Sequence, residues 1–196
     1  MNIATVLARA ALASMLSLAP AQAAVPDDPR PPDALTLFGA RLTDNSFEEL
    51  LTAEDLTWRD SYLVGVAASR RVWEFGRHAE IDLEGQVVRH FGNERHWEFN
   101  ALPVARWLRF PWSESVHTGV AYGLGLSYAT RKPAEEVAMN GSTEHWLVYW
   151  VIEAEVGPPA RPWSAVARLH HRSPAFGLMG DAGGANSLTA GVRWRY

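Results

Sequence analysis

Residues 145–156 read HWLVYWVIEAEV, and this stretch decides the fold. Trp146, Val148, Trp150, Ile152, Ala154 and Val156 fall on one parity, and Leu147, Tyr149, Val151, Glu153 and Glu155 on the other. Side chains of an extended chain point alternately to opposite faces, so the stretch is a strand. One of its faces is wholly apolar and the other ends in two carboxylates.

The same period of two recurs in both directions along the chain. Within Val116–Thr130, Val116, Val120, Tyr122, Leu124, Leu126 and Tyr128 share one face, opposite Gly119, Ala121, Gly123, Gly125 and Ser127. Ala79, Ile81, Leu83 and Val87 stand against Glu80, Asp82, Glu84 and Gln86. The last segment sets Leu188, Ala190, Val192, Trp194 and Tyr196 against Ser187, Thr189, Arg193 and Arg195. With weaker segments included, eight strands are expected, at 34–42, 59–73, 78–90, 97–109, 115–130, 144–156, 162–173 and 186–196.

An even number of such strands predicts an all-β fold, an eight-stranded antiparallel transmembrane β-barrel. A soluble sandwich also alternates, but it would place the Trp rows inside and the Glu and Arg rows in water. Two features favour the membrane. The apolar rows are dense in Trp and Tyr near strand ends, where interfacial girdles lie. Opposite charges also share the other rows: Glu153 and Glu155, Arg168, then Arg193 and Arg195. Paired charges can be buried in a small filled barrel, whereas unpaired ones are costly.

Composition agrees and removes other classes. The 196 residues carry 18 Lys and Arg against 22 Asp and Glu, a net charge of −4, so no basic surface points to nucleic acid. Mean hydropathy is −0.14 despite 47% hydrophobic residues, and past the N-terminus no apolar run is long enough for a helical span. Nine Trp, five Tyr and seven Phe are a heavy aromatic load for this length. Cysteine is absent, which excludes disulfides, thiolate metal ligands and a thiol nucleophile.

Three regions are expected. Residues 1–23 read as a secretory signal peptide, with an apolar core over Ala10–Leu18 and Ala21-Gln22-Ala23 as a small-x-small cleavage site. Residues 24–33 (AVPDDPRPPD) form a proline-rich lead-in unable to make a helix or central strand. Residues 34–196 form the barrel. The connections at 74–77, 110–114 and 157–161 are short, and those at 43–58, 91–96, 131–143 and 174–185 are mostly longer and polar. Short periplasmic turns alternating with extracellular loops follow the outer-membrane pattern. The first loop, at 45–56 (NSFEELLTAEDL), is expected to hold a short amphipathic helix.

Reactive side chains gather in one segment, Arg168–Asn186 (RLHHRSPAFGLMGDAGGAN). His171 and Ser173 continue the outward row of Trp163, Ala165, Ala167 and Leu169, and Asn186 begins the outward row of the next strand. The three therefore project from one face at the outer end of neighbouring strands. Two residues along a strand span about 6–7 Å, within side-chain reach. A nucleophile, a base and an orienting group are the parts acyl transfer needs. Polar groups on a lipid-facing row are tolerated near the interface, where the outer leaflet presents acyl esters.

The His171-x-Ser173 pair on the penultimate strand, the apolar and glycine-rich loop and the aromatic C-terminus resemble the PagL-type lipid A 3-O-deacylases. The match is confined to the last two expected strands and their loop; the rest agrees in strand count and size. The resemblance implies an eight-stranded outer-membrane barrel that hydrolyses a lipid A ester with a lipid-facing Ser-His-acid triad. Ser173 is then the nucleophile and His171 the general base. The family's acid is a Glu at the start of the last strand, where this chain has Asn186, and its Ser is usually followed by Asn, where this chain has Pro174. Asn can orient an imidazole through its amide oxygen, and Asp181 in the loop is the alternative third member.

Arg172 is a candidate contact to a lipid phosphate, and an amide at Gly177 is a candidate substrate contact. His170 is expected to face the lumen in a structural role. His90 and His96 (HFGNERH) fall near an expected loop without a convincing third ligand, so no metal and no cofactor is expected. The expected partner is outer-leaflet lipopolysaccharide or phospholipid. Two functions stand: an outer-membrane esterase, or a non-catalytic barrel with an envelope-integrity or adhesion role through its loops. A palmitoyl-transfer barrel is a lesser third, and a pore is disfavoured because eight strands enclose room only for side chains.

Overall fold

The computed structural model describes residues 30–45, 49–50 and 56–196. The expected signal peptide, most of the lead-in and most of the expected helix at 45–56 lie outside the described residues. Eight strands form one closed antiparallel barrel, each paired with its neighbours in sequence and the last with the first. They are β1 (Asp33–Thr43), β2 (Trp58–Phe75), β3 (Ala79–Gly92), β4 (Trp97–Trp107), β5 (His117–Ala129), β6 (Trp146–Gly157), β7 (Trp163–Ser173) and β8 (Asn186–Arg195). Every expected strand is present, with no end shifted by more than two residues. Closure leaves no sheet edge, as a chain crossing lipid by strands requires.

The face assignment follows the alternation. In β6, Leu147, Tyr149, Val151, Glu153 and Glu155 are buried, while Trp146, Ile152, Ala154 and Val156 are exposed. Leu37, Leu83, Tyr122 and Val192 also turn outward, more than half exposed. Apolar surface in water costs about 25 cal/mol per Å², and lipid removes that cost. Trp73, Phe75, Trp107, Trp163 and Trp194 mark one end of this belt, and Trp58, Tyr62, Phe91, Trp97 and Trp146 the other. These two rings sit where the amphipathic girdles of a membrane barrel sit.

Inside, charge replaces most of an apolar core. Glu153 and Glu155 from β6 meet Arg193 and Arg195 from β8. Arg168 from β7 joins Glu153 to Glu84 of β3, and Arg106 from β4 joins Asp82 to Glu153. Four carboxylates thus face four guanidiniums, and the lattice crosses the lumen. Two apolar clusters pack alongside it: Leu102, Val104, Ala121, Tyr149 and Val151, and Phe38, Leu63, Ala67 and Val88.

The outer mouth carries an element absent from the sequence expectation. Residues Ala134–Asn140 form a short helix, α1, inside the loop expected at 131–143. Pro133 precedes it with extended backbone, and Glu135 and Glu136 occupy the first turn, where acidic side chains complement the helix dipole. Seven residues are too few to display a helical period. What fixes α1 is tertiary: Glu135 accepts hydrogen bonds from Ser61 (2.7 Å), Arg59 (2.7 Å) and Asn93 (3.1 Å). Glu136 accepts from Arg172 at 2.9 Å, from the Gly184 amide at 3.2 Å and from the Thr143 hydroxyl.

Candidate functional site

Sheet closure assembles the site at the outer end of β7 and β8. The register sets His171 opposite Asn186, and His170 opposite Ser187. On its other side His171 faces Trp150 of β6, with ring centroids 4.5 Å apart. β8 also pairs with β1, and Asn186 lies opposite Thr43. The chain turns immediately after Thr43, so Asn45 reaches back over Asn186.

These contacts fix a protonation pattern. The Asn186 side-chain nitrogen donates to the Asn45 carbonyl at 2.9 Å. A carbonyl only accepts, so the amide orientation is set and Oδ1 faces the imidazole. His171 Nδ1 lies 2.5 Å from that oxygen, and Nδ1 must therefore carry the hydrogen. In the neutral ring Nε2 then holds the lone pair. Asn45 is held in turn, its Oδ1 accepting from the Thr43 hydroxyl at 2.6 Å and from the Thr57 amide at 2.7 Å.

Ser173 lies two residues beyond His171 on the same face, half-buried as His171 is. Its hydroxyl oxygen accepts from the Ala175 amide at 3.1 Å, which leaves the hydroxyl hydrogen available. Among the described residues no hydrogen bond joins Ser173 to His171. None joins Asp181 to His171 either; Asn186 holds the third place. Gly177 lies in the loop at φ 90°, directly after Ala175 and Phe176, both in the left-handed region. The loop is tied by Met179 N–H to the Pro174 carbonyl at 3.0 Å and Leu178 N–H to the Ala175 carbonyl at 3.2 Å. Phe176 and Leu178 project from it, at 111% and 78% exposure.

Arg172, expected to face inward at the rim as a candidate lipid-phosphate contact, does face inward. Its side chain is buried, bonded to Glu136 at 2.9 Å and to the Glu144 and His145 carbonyls at 3.2 and 3.3 Å. Inward parity on β7 and the acid on α1 account for this: a guanidinium so engaged faces the mouth helix, not the outer surface. His170 is buried as expected, between the Tyr149 hydroxyl (3.0 Å) and Glu98 (2.9 Å).

Three further groups position the site; the sequence reading gave the glycine a role in loop geometry and missed the other two. Asn45 orients Asn186. Glu136 pins both Arg172 and Gly184 from α1. Gly184 adopts φ +96°, and a Cβ there would lie 2.2 Å from the Arg172 carbonyl oxygen, so only glycine lets the loop enter β8 this close to β7. Glycine pairing at 183–184 just before an expected strand was the available signal; the other two arise from loops that meet only in three dimensions.

No protein-family model and no curated protein matches the chain. Solved structures do. The outer membrane enzyme PagL superposes with TM-score 0.55 at 14% identity, covering 82% of this chain and 98% of that one. Neisserial surface protein A (NspA) superposes with TM-score 0.49 at 11% identity, covering 84% and 97%. At these identities the likeness is one of fold. The chain has the fold of the eight-stranded outer-membrane barrels, consistent with a place in a bacterial outer membrane.

Proposed function

We propose that this barrel is an outer-membrane esterase that hydrolyses an acyl ester of lipid A or a related lipid. The observation that carries the reading is the His171–Asn186 pair, 2.5 Å apart, with its tautomer set by Asn45 and Ser173 on the same outward face. Ser173 Oγ attacks the ester carbonyl as its proton passes to His171 Nε2. Asn186 accepts from Nδ1–H and keeps the ring in place as it becomes imidazolium. The proton then passes from Nε2 to the leaving alkoxide, and water releases the acyl group by the reverse sequence.

The oxyanion formed on attack needs donors. Among the described residues no hydrogen bond engages the amides of Phe176 or Gly177, three and four residues past Ser173, and we assign them this role. Phe176 and Leu178 are exposed in the loop that follows the nucleophile and suit acyl chains. The resemblance of the His-x-Ser strand to the lipid A 3-O-deacylases supports the same reading. Asn in place of a carboxylate fixes the tautomer without adding charge, so it stabilises the imidazolium less.

Expression in a host with hexa-acylated lipid A, followed by mass spectrometry of that lipid, tests the proposal. Loss of one acyl chain is expected, and Ser173→Ala or His171→Ala should abolish it. Asn186→Ala should slow it by about 10²–10⁴-fold, the worth of a correctly held general base. An unchanged lipid, or equal loss with Ser173→Ala, overturns the reading.

The Ser173 oxygen bonded to the Ala175 amide, without a bond to His171, favours a second reading as a non-catalytic surface barrel. There Ser173→Ala and His171→Ala leave every envelope phenotype intact, and deletion of 131–143 does not.

A further inference from the structure

A second polar cluster occupies the outer lumen, where β3 turns into β4. His90 is the last inward side chain of β3, and Glu94 and His96 belong to the connection before β4. The connection is tight: the His90 amide donates to the His96 carbonyl at 3.0 Å, and the Asn93 amide to the Asp60 carbonyl at 3.0 Å. Gly92 at φ +99° makes the turn, since a Cβ there would lie 2.2 Å from the Asp60 oxygen. The effect is to fold Glu94 and His96 back into the barrel, where they are 5% and 3% exposed, with His90 at 6%.

We propose that His90, Glu94 and His96 form a binding site for a divalent transition-metal ion of the Zn²⁺ class. One donor atom from each lies within 4.8 Å of the other two. His90 Nδ1 and Glu94 Oε1 are 3.1 Å apart, close to the separation of two ligands on one tetrahedral ion with bonds of about 2.0–2.2 Å. His96 Nε2 and Glu94 Oε2 are buried without any hydrogen-bond partner. Orphaned polar atoms at this depth are costly and call for a partner. The His90 and His96 rings stack with centroids 4.1 Å apart. Convergence of their lone pairs requires the stack to open by rotation about Cβ–Cγ, a soft torsion in histidine.

The surroundings supply what a metal site needs beyond its ligands. Glu98, fully buried, accepts from His90 Nε2 at 2.8 Å. A carboxylate behind a ligating imidazole orients the ring and fixes Nδ1 as its metal-facing atom. Its other oxygen lies 2.9 Å from His170, and the nearby guanidinium of Arg172 is engaged by Glu136. In this structure His90 Nδ1–H donates to Glu94 Oε1, and an ion bound between them displaces that proton; Glu94 and Glu98 then place two buried negative charges here, which a dication balances. Two histidines and one glutamate leave a fourth position open. Glu94 and His96 border a cavity of about 320 Å³. Arg95, Arg131 and Lys132 also line it, which favours water or an anion as the fourth ligand.

The test uses the full chain folded in detergent, stripped with chelator and titrated calorimetrically with ZnCl₂. One Zn²⁺ per chain is expected. Glu94→Gln and His96→Ala should weaken it more than 100-fold, and Glu98→Gln about 10–100-fold. His145→Ala, outside the cluster, should leave binding unchanged. Heat-modifiable gel mobility shows that each variant is folded. X-ray absorption on the zinc-loaded wild type needs no variant and should show a nitrogen and oxygen shell with two imidazoles. A folded barrel that takes up no zinc overturns the proposal, as does binding undiminished in both ligand variants or a shell with fewer than two imidazoles.

Discussion

Replacing Glu153 by Gln is the sharpest test of the charged interior. Its carboxylate is 2% exposed and accepts from three guanidiniums: Arg168 at 2.5 Å, Arg193 at 2.5 and 2.7 Å, and Arg106. Glutamine preserves the shape but turns one acceptor oxygen into a donor aimed at cations. Two charge-assisted bonds are lost, each worth about 1.5–3 kcal/mol, and one positive charge is left in excess. Arg106 keeps Asp82 (2.6 Å), Arg168 keeps Glu84 (2.9 Å) and Arg193 keeps Glu155 (2.6 Å). The cost therefore belongs with other broken buried pairs, at about 3–5 kcal/mol. With a urea slope of about 2 kcal/mol/M, the unfolding midpoint falls by about 1.5–2.5 M. Tryptophan emission of the barrel in lipid vesicles reads it, against Glu144→Gln as control. Glu144 pairs with Lys132 at 3.0 Å with both about half exposed, and such surface pairs contribute about 0–1 kcal/mol. If the two variants shift the midpoint equally, the interior is too hydrated for buried-charge reasoning.

Gly184→Ala should cost about 1–3 kcal/mol of backbone strain and pull Asn186 from His171; loss of the Nδ1-protonated tautomer by ¹⁵N NMR checks the second effect. Replacing both Phe176 and Leu178 by Ser should lower turnover of a long-chain lipid ester in vesicles while leaving a soluble short-chain ester unaffected; equal loss on both substrates contradicts an acyl-chain role. Burial alone would raise the Glu135 carboxyl, but hydrogen bonds from Ser61 and Asn93 and the Arg59 charge outweigh it and hold it below its ordinary value. A depressed acid stabilises its docked form above the unfolded value and loses that contribution as pH falls through the folded one. Hydrogen-exchange protection of α1 should thus decline below about pH 4, and Glu135→Gln should flatten that acid-side fall.

Alternation made the barrel legible. With a period of two, each residue's parity states its face, so the inward Glu153 and Arg193 and the outward Trp146 and Trp194 could be read from the sequence alone. Strand order followed because short and long connections alternate, and consecutive antiparallel strands have little choice of neighbour. His171 and Ser173 were legible for the same reason, as two same-parity residues at a strand end. Asn186 could be placed near them because β7 and β8 are joined by one loop.

Contacts between loops were not legible. Glu94 gave no sign of becoming a third group beside His90 and His96, because its direction depends on a glycine turn packed on β2. α1 was too short to show a period, and nothing in the sequence marks Glu135 and Glu136 as buried, since Ser61, Arg59 and Arg172 reach them from distant strands. Arg172 was expected to face inward at the rim, and parity gave that face, but not the Glu136 of α1 that waits there. The sequence by itself determined the strands, their faces and the enclosure of charge, since these follow from the geometry of an extended chain and the cost of unpaired groups. Tertiary structure decided the hydrogen-bonding of the site. Asn45, just past β1, is far in the chain from Asn186 and His171, and only closure of β1 on β8 brings the Asn45 carbonyl to the amide that sets the imidazole.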